Sequence, residues 1–469
     1  MPNLVRDMPG RLSDSPCRWG GAVALQRAVA ALMLLCVPQR GIAQAPDEAH
    51  AKGERSAAAT QPAATQPVAL HIPFDVRHNS ALTGDWWGAR AWLKERGIEF
   101  GLSLNTQYQG NVHGGERTRS AHRVTGSGDY ELTLDFEKMG VLKGGTFYCL
   151  AESVFGDDVG LDRVGALFGT NADAIGETAI LARQVWYEQK LFDGKARVRA
   201  GRLSVFTDFD TNAFANSEDY QFLNPALVNT FNMPVPADGL GEGLGAQVVI
   251  QPAEWVYFGA IAMDARSDAH NGGFHTAFHD EDYFFFAWEL GFLPVWKLPW
   301  GKLPGGYRFG LWYDPQPKAK FFDDLGGRRR TIPLKRDDTG FYVNLDQMLV
   351  REKPGDESDT QGLGVFFRYG YAPANVNLLE HFWSVGAQYQ GLIPTRDEDV
   401  LGFGFAQGLI GGPSRRLDGG SQEAVYELYY NIKLLPWLQL SPDLQYVVNP
   451  GARGGRDAFV IGLRLLAMF

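Results

Sequence analysis

The sequence contains few cysteines and, after its first 45 residues, no long apolar segment. It has 3 cysteines among 469 residues, and only Cys149 lies beyond residue 45. This scarcity excludes a disulfide-stapled fold and a cysteine-rich zinc or iron–sulfur site. No later segment reaches the ~18 apolar residues that a membrane-spanning helix needs, so no such helix is predicted there.

Basic residues are also in the minority. The chain has 44 lysines and arginines against 54 aspartates and glutamates, a formal net charge of −10. This acidic balance argues against nucleic acid as the main partner. Glycine, in contrast, is abundant at 56 residues, and aromatic residues make up 13% of the chain. Two classes of protein remain: a soluble β-protein and a β-barrel in a membrane.

The first 45 residues have the pattern of a secretory signal peptide. Arginines up to Arg27 precede an apolar run at 28–37, and small residues follow, with candidate cleavage sites after Ala43 and after Ala45. A basic, then apolar, then small-residue order is typical of a segment that directs export and is removed. Residues 46–81 are rich in Ala, Pro, Gln and Thr without an apolar period, which predicts a flexible leader.

A short helix is predicted at about 85–96, at the start of a domain that spans 82–469. The side chain of Asp85 or Thr83 can accept hydrogen bonds from the free N–H groups of the first turn, and Gly97 can end the helix in the left-handed region. After Gly97 the apolar period changes from 3.6 to 2, which indicates strands.

Sixteen segments with this alternation follow. They start near residues 99, 130, 146, 181, 196, 243, 254, 283, 306, 339, 362, 383, 400, 423, 437 and 458. An even number of strands of ~9–11 residues, joined by alternating short and long connections, is typical of a bacterial outer-membrane barrel. The predicted fold is therefore all-β: a sixteen-stranded antiparallel transmembrane β-barrel with a short N-terminal helix.

Alternation does not by itself say which face of each strand points outward. One set of alternating residues is aliphatic and aromatic, and the other contains charged residues such as Glu131, Arg308 and Arg464. A barrel in lipid would turn the charged set inward, whereas a soluble sandwich would turn it outward. The export signal and the even strand count favour the barrel. A secreted soluble carbohydrate-binding or carbohydrate-cleaving β-protein, and a plugged structural outer-membrane barrel, remain alternatives.

Three stretches resemble a known family. They are the segment 82–98, which contains LTGDWWGAR, the segment 215–224, ANSEDYQFLN, and the closing segment 423–469. Together they are similar to the carbohydrate-selective outer-membrane porins of the OprB type. The resemblance implies passive, carbohydrate-selective diffusion of small sugars across the outer membrane of a Gram-negative bacterium into the periplasm. It implies a channel rather than an enzyme, and no cofactor.

The long connection at 206–242 is predicted to fold into the lumen as a constriction. It combines aromatic rings, which can cover the C–H faces of a sugar, with polar groups that can bind the hydroxyl rim. Arginines on the neighbouring strands are expected to face it, although a bulge at Gly201 can shift which of them point inward. The predicted sugar path and constriction comprise Arg183, Trp186, Glu188, Arg197, Arg199, Arg202, Phe206, Asp208, Asp210, Glu218, Asp219, Tyr220 and Phe222, and the predicted lumen-lining residues are Glu427, Asp443 and Arg464.

Other chemistry is less well supported by the sequence. Glu427 and Asp443 are carboxylates on neighbouring strands, as a glycosidase pair would be, but nothing else in the chain builds a closed site. The histidines at 270, 275 and 279 fit a polar outer loop better than a metal site. No catalytic, metal-binding or cofactor-binding residue is predicted. The expected partners are small sugars, outer-membrane lipids and the barrel-assembly machinery, which would bind the C-terminal strand ending at Phe469, and assembly as a homotrimer is left open.

Overall fold

The computed structural model describes residues 77, 79–173, 176–236, 241–267, 283–299, 301–321, 333–356, 358–412 and 420–469. The predicted signal peptide, most of the predicted leader and the three loop histidines lie outside these residues. Within the described ranges, no helix has the length and apolar character needed to cross a membrane.

Among the described residues, sixteen antiparallel strands form the barrel. Each pairs with the next along the chain, and the last pairs with the first, for example at Tyr108 and Leu463, so that the sheet closes. The strands are β1 (Ile98–His113), β2 (His122–Asp135), β3 (Gly145–Phe155), β4 (Thr178–Leu191), β5 (Ala196–Ser204), β6 (Glu242–Ala253), β7 (Val256–Asp264), β8 (Phe284–Phe292), β9 (Gly301–Asp314), β10 (Asp338–Arg351), β11 (Gly362–Tyr371), β12 (Leu379–Gln390), β13 (Val400–Ile410), β14 (Gln422–Leu435), β15 (Leu438–Val448) and β16 (Ala458–Met468). The predicted fold class is confirmed.

Three predicted strand starts are late: β9 begins at Gly301 rather than near residue 306, β12 at Leu379 rather than near 383, and β2 shows the largest difference. β2 begins at His122 rather than near residue 130, and β1 continues to His113, so the connection between them is a short loop, 114–121. The early part of β2 presents small polar residues inward, Thr125 and Ser127, with glycines between them. These residues lack the apolar alternation that marks a strand in the sequence, although they pair regularly with β1.

Several smaller elements accompany the barrel. They are a helical turn at Trp86–Gly88, helix α1 (Ala89–Glu95), single turns at Gly160–Val164, Val205–Thr207 and Pro450–Ala452, helix α2 (Pro225–Val228), and short strands at Val295–Leu298, Lys318–Ala319 and Leu334–Lys335.

Helix α1 is attached to the seam between the first and last strands. The Asp85 carboxylate accepts a hydrogen bond from the N–H of Ala91 at 3.0 Å. Gly97, with φ of +81°, follows the end of the helix, because this conformation is costly for residues with a side chain. Arg90 Nη2 donates to the main-chain oxygen of Phe469 at 2.6 Å. The helix therefore holds the end of β16 in place.

Burial identifies the outer face of the barrel. On β16, Leu463 is 38% exposed and the adjacent Arg464 is 2% exposed, and on β14 Leu428 is exposed while Glu427 is buried. In a soluble sandwich the apolar residues would be covered and the charged ones exposed. The reverse order here places the apolar set toward lipid and the charged set in the interior.

Aromatic rings lie flat against glycines on the interior wall, which accounts for part of the high content of both residue types. Each ring sits beside a glycine that is its direct partner on the neighbouring strand. A Cβ on Gly402, for example, would lie 2.1 Å from Cε1 of Tyr429. Only glycine leaves room for this packing. The pairs are Tyr257 with Gly291, Trp312 with Gly340, Tyr342 with Gly310, Phe366 with Gly386, and Tyr429 with Gly402.

The two ends of the barrel differ in their connections. Those after even-numbered strands are mostly short, such as 192–195, 254–255 and 436–437, whereas those after odd-numbered strands include 156–177, 205–241 and 315–337. Short turns face the periplasm in outer-membrane barrels and long loops face outward. We call the end with the short turns the short-turn end.

Candidate functional site

The described residues 205–236 of the connection between β5 and β6 lie inside the barrel, and we call them the inner loop. Several of its apolar residues, including Phe209, Phe222 and Leu227, are fully buried. The ring of Phe222 packs edge-on against Tyr429 of β14, with ring centroids 4.9 Å apart, and against Phe366 of β11 at 5.5 Å. The inner loop therefore crosses the lumen and packs on the far wall.

Carboxylates of the barrel wall bind the main-chain N–H groups of the inner loop. Glu427 accepts from Leu223 at 2.5 Å and from Asn224 at 2.8 Å. Glu289 of β8 accepts from the N–H of Asp210 at 2.9 Å. A loop buried in a barrel has no sheet partner for its N–H groups, and leaving them unpaired away from water is costly. The inward carboxylates satisfy this requirement.

Arginines of the same wall bind the main-chain carbonyls of the inner loop. Arg368 of β11 donates to the carbonyl of Leu227 at 3.0 Å and to that of Ala215. Its Nε lies 3.4 Å from the Asp210 carboxylate. Arg464 donates to the carbonyls of Glu218 at 2.5 Å and Gln221 at 2.9 Å. The loop is thus held through its backbone at several points around the wall.

The loop after β3 is held inside the barrel in a similar way. Glu423 of β14 accepts from the N–H groups of Leu167 at 2.7 Å and Phe168 at 2.8 Å. Farther along this loop, the Asp173 carboxylate accepts from Ser127 Oγ at 2.6 Å. Sequence reasoning did not assign an inward position to this loop, because its residues carry no distinctive pattern.

The wall formed by β2–β5 carries charges that pair with each other. Arg183 binds Glu152 at 2.5 Å and Glu242 at 2.7 Å. Arg199 binds Glu188 at 2.8 Å and Asp208 of the inner loop at 2.7 Å. Arg197 also pairs with Asp208. The structure therefore brings together most of the predicted arginines and their carboxylate partners.

Two aromatic rings lie among these charges. Trp186 stacks on Tyr148 of β3, with ring centroids 4.9 Å apart and an interplanar angle of 28°. The guanidinium of Arg199 lies 4.0 Å from the Trp186 ring centroid. On the inner loop, Phe206 is half-buried and Tyr220 is exposed. Tyr148 was not predicted as a site residue.

An acidic group on β2 and β3 was also missed. Asp129 and Glu152 are direct cross-strand partners, and Asp129 accepts from Ser103 Oγ at 3.2 Å. Asp219 of the inner loop accepts from Asn105 at 2.8 Å nearby. Burial, followed by the neighbouring charge of Asp219, raises the pKa of Glu218 to about 7. Asp129 lies two residues before Glu131 and therefore on the same face of the strand. The predicted β2 starts near residue 130 and so did not include it.

Five predicted sugar-path residues are buried, and three of them, Arg202, Asp210 and Phe222, have no exposed surface. Arg202, which donates to the main-chain oxygen of Arg183 at 2.8 Å, has no exposed side-chain surface. Asp210 and Phe222 are equally buried. Gly201, which lies between Arg199 and Arg202, has φ of +137°, and both arginines pair with buried carboxylates, Glu188 and Glu242. In this structure Arg202, Asp210 and Phe222 therefore present no surface to the lumen.

The three predicted lumen-lining residues need a similar correction. Glu427, Asp443 and Arg464 do point into the barrel, but all are buried, and the inner loop binds Glu427 and Arg464 directly. The sequence could not reveal that the inner loop covers these residues, because this depends on the path of the loop through the barrel. A glycosidase pair at Glu427 and Asp443 would have no access to substrate. No group of three or more His, Cys, Asp or Glu in the described residues is placed to hold a metal ion.

The fold and the interior together define a porin: a closed barrel with an apolar outside and a loop that narrows a charged lumen. Comparison identifies the family. The family described as carbohydrate-selective porin, OprB family, matches residues 119–469, and the chain belongs to it. The protein is a sugar channel of the Gram-negative outer membrane. Family and fold are those of a channel rather than of an enzyme, and the resemblance noted from the sequence is confirmed.

Individual relatives agree with this assignment. The chain is 25% identical to Porin B of Pseudomonas aeruginosa over 426 residues, which is 83% of this chain and 91% of the relative. It is similar to the high-pH structure of Pseudomonas putida OprB, with a TM-score of 0.75, 22% identity, and coverage of 84% of this chain and 99% of that one. The low-pH structure of the same protein matches with a TM-score of 0.55 and 19% identity, over the same shares of the two chains.

Proposed function

We propose that sugars cross the barrel between the wall formed by β2–β5 and the facing side of the inner loop. The observation that carries this proposal is the partial exposure of paired charges on that wall. The side chains of Arg183 and Arg197 are 19% and 32% exposed, and that of Glu152 is 13% exposed. The anchoring charges on the opposite wall, such as Arg368, are fully covered.

The chemistry of this passage suits neutral sugars. Guanidinium and carboxylate groups offer donors and acceptors to hydroxyls, and the Trp186 and Tyr148 rings offer apolar faces to C–H groups. Because each arginine already has a carboxylate partner, a sugar competes with existing ion pairs. Binding is therefore weak and reversible, as passage requires.

Export and assembly complete the proposal. Residues 1–45 direct export and are removed, 46–81 form a leader, and the domain 82–469 inserts into outer-membrane lipid through recognition of the strand that ends at Phe469. The N-terminus of the purified protein, read by mass spectrometry, tests the cleavage. Cross-linking of the unheated protein distinguishes a monomer from a homotrimer.

Sugar block of ion current in planar bilayers tests the sugar path. Replacing both Trp186 by Leu and Arg197 by Ala removes an apolar face and a partly exposed donor, while Asp208 keeps Arg199 and Gln247 as partners. We expect block by neutral sugars to weaken about tenfold, which corresponds to ~1.4 kcal/mol. The control Lys143→Ala removes a cation that is 80% exposed on a short turn and leaves block unchanged. Unchanged block in the double variant would place the path elsewhere.

A further inference from the structure

We propose that a cavity at the short-turn end of the barrel is a second sugar site, which takes one neutral monosaccharide unit beside the exit of the channel. This rests on the proposed sugar path, which it extends. The cavity has a volume of about 370 Å³. Its lining includes Arg197, Asp208, Thr211, Gln251, Tyr257 and Arg308.

The position of the lining residues places the cavity near the periplasm. Gly194 lies in the turn 192–195, Gln251 and Tyr257 flank the turn 254–255, and Leu293 begins the turn 293–300. All three turns follow even-numbered strands and belong to the short-turn end, which faces the periplasm in outer-membrane barrels. Asp208 and Arg197, which pair with each other, link the cavity to the proposed path.

Tyr257 supplies an apolar face. Its ring lies against Gly291, where a Cβ would come within 2.1 Å of the ring, and its hydroxyl donates to Glu289 at 2.5 Å. The rings of the other four aromatic–glycine pairs are at most 2% exposed, whereas Tyr257 is only half-buried and lines the cavity. A ring held flat in this way suits stacking against the C–H face of a pyranose.

The charges and size of the cavity favour a single neutral sugar. Arg197 is paired with Asp208, and Arg308 with Asp346. Both guanidiniums are thereby neutralised, so the lining offers hydrogen-bond donors without a free positive charge for an anion. Thr211 and Gln251 add neutral polar groups. The volume lies at the small end of the ~300–1,000 Å³ range of ligand pockets, which fits one sugar unit rather than a chain.

Block of ion current by D-glucose, measured in planar bilayers, tests this site. The first variant combines Thr211→Val and Gln251→Leu, because neither side chain holds the inner loop or an ion pair; Gln251 Nε2 donates only to the carbonyl of Glu254 at 3.3 Å. We expect D-glucose block to weaken about threefold to tenfold, the scale of one or two neutral hydrogen bonds. Asp193→Asn, at a side chain that is 93% exposed on the neighbouring turn, is the matched control and leaves block unchanged.

A second pair of variants isolates the ring. Tyr257→Phe and Tyr257→Leu both lose the hydroxyl that Glu289 binds, so their effects on the inner loop are matched. Only the Leu variant also loses the aromatic face, and we expect it to bind D-glucose severalfold more weakly than the Phe variant. D-gluconate, the anionic comparison, is expected to block more weakly than D-glucose.

The outcomes separate the two proposals. A native channel without any D-glucose block overturns the sugar path itself. A native channel that D-glucose blocks, combined with unchanged block in the Thr211→Val, Gln251→Leu variant and equal block in the two Tyr257 variants, overturns the second site and leaves the sugar path intact. Stronger block by D-gluconate than by D-glucose overturns the assignment to neutral sugars.

Discussion

The two sides of the lumen use the same residue types for different purposes. On the covered wall, which we define as the interior of β8–β16, Glu289, Arg368 and Glu427 bind the main chain of the inner loop. On the open wall, the interior of β2–β5, Arg183 and Arg199 bind carboxylate side chains. An inward charged residue therefore binds the inner loop where the loop backbone covers it. Where no backbone covers it, the residue lines the passage.

The energetic consequences of the two arrangements differ. Main-chain groups on the covered side of the inner loop have no access to water. Losing a wall residue that binds them leaves them unpaired, at a cost of about 1–3 kcal/mol each. Partly exposed ion pairs are weaker, because water screens and replaces them. Substitutions on the covered wall should therefore change the position of the loop, and those on the open wall should change the selectivity of the channel.

The largest effect is expected for Arg368→Leu on the covered wall. It removes the donors to Ala215 and Leu227 and leaves the buried Asp210 carboxylate without its guanidinium. Breaking a buried ion pair in this way costs about 3–5 kcal/mol. We expect the inner loop to leave its position, with higher single-channel conductance and little sugar block.

Arg183→Leu is the matched change on the open wall. It is expected to alter the ratio of cation to anion permeability while conductance stays near that of the native channel. If Arg183→Leu opened the channel as widely as Arg368→Leu, the distinction between the two walls would be wrong.

Glu427→Leu is expected to have the next largest effect. It leaves the N–H groups of Leu223 and Asn224 without their acceptor, and each unpaired buried group costs about 1–3 kcal/mol. Glu427→Gln keeps one acceptor oxygen and should be milder. Limited proteolysis within 206–236 measures the release of the loop. Equal cutting of native protein and the Leu variant would contradict the anchoring role.

Gly402→Ala tests the packing of aromatic rings on the covered wall. The added Cβ would lie 2.1 Å from the Tyr429 ring, and overpacking of this kind costs about 1–3 kcal/mol. We expect a lower temperature for the shift from folded to unfolded mobility on an SDS gel. Gly355→Ala, where no heavy atom lies within 4 Å of the added carbon, is the control. A control that lowered this temperature as much would argue against ring packing as the cause.

The smallest effect concerns pH. With its pKa raised to about 7, Glu218 in the folded protein is protonated below that pH and charged above it. In the unfolded chain, an ordinary glutamate loses its proton near ~4.3. The folded state therefore binds this proton more tightly than the unfolded chain does. The folded position of the inner loop becomes more stable as pH falls from 8 toward 5.

Reversal potentials in a salt gradient measure the same titration. Between pH 8 and pH 6 Glu218 loses most of its negative charge, so cation preference should decrease slightly, and Glu218→Gln should reduce this dependence. Asp129, Glu152, Arg183 and Asp219 surround Glu218 and stay in place in that variant. A pH dependence that persisted unchanged in Glu218→Gln would assign it to another group.

Strand prediction succeeded where alternation was strong. The predicted starts of β5, β11, β13 and β16 agree with the structure to the residue. β2 was placed too late, since its first half presents Thr125 and Ser127 inward among glycines. Alternation also separated Leu463 from Arg464 correctly, although the sequence did not say which of the two faces lipid.

The local properties of this protein can be read from its sequence: where strands run, which residues share a face, and that charged side chains form one of the two faces. These follow from a period of two along the chain. Which inward charges meet water depends on the folded barrel. Leu223 and Glu427 are 204 residues apart, and Ala215 and Arg368 are 153 apart. Contacts at such separations depend on barrel closure and on the path of the inner loop, because a buried backbone must find partners wherever the wall offers them.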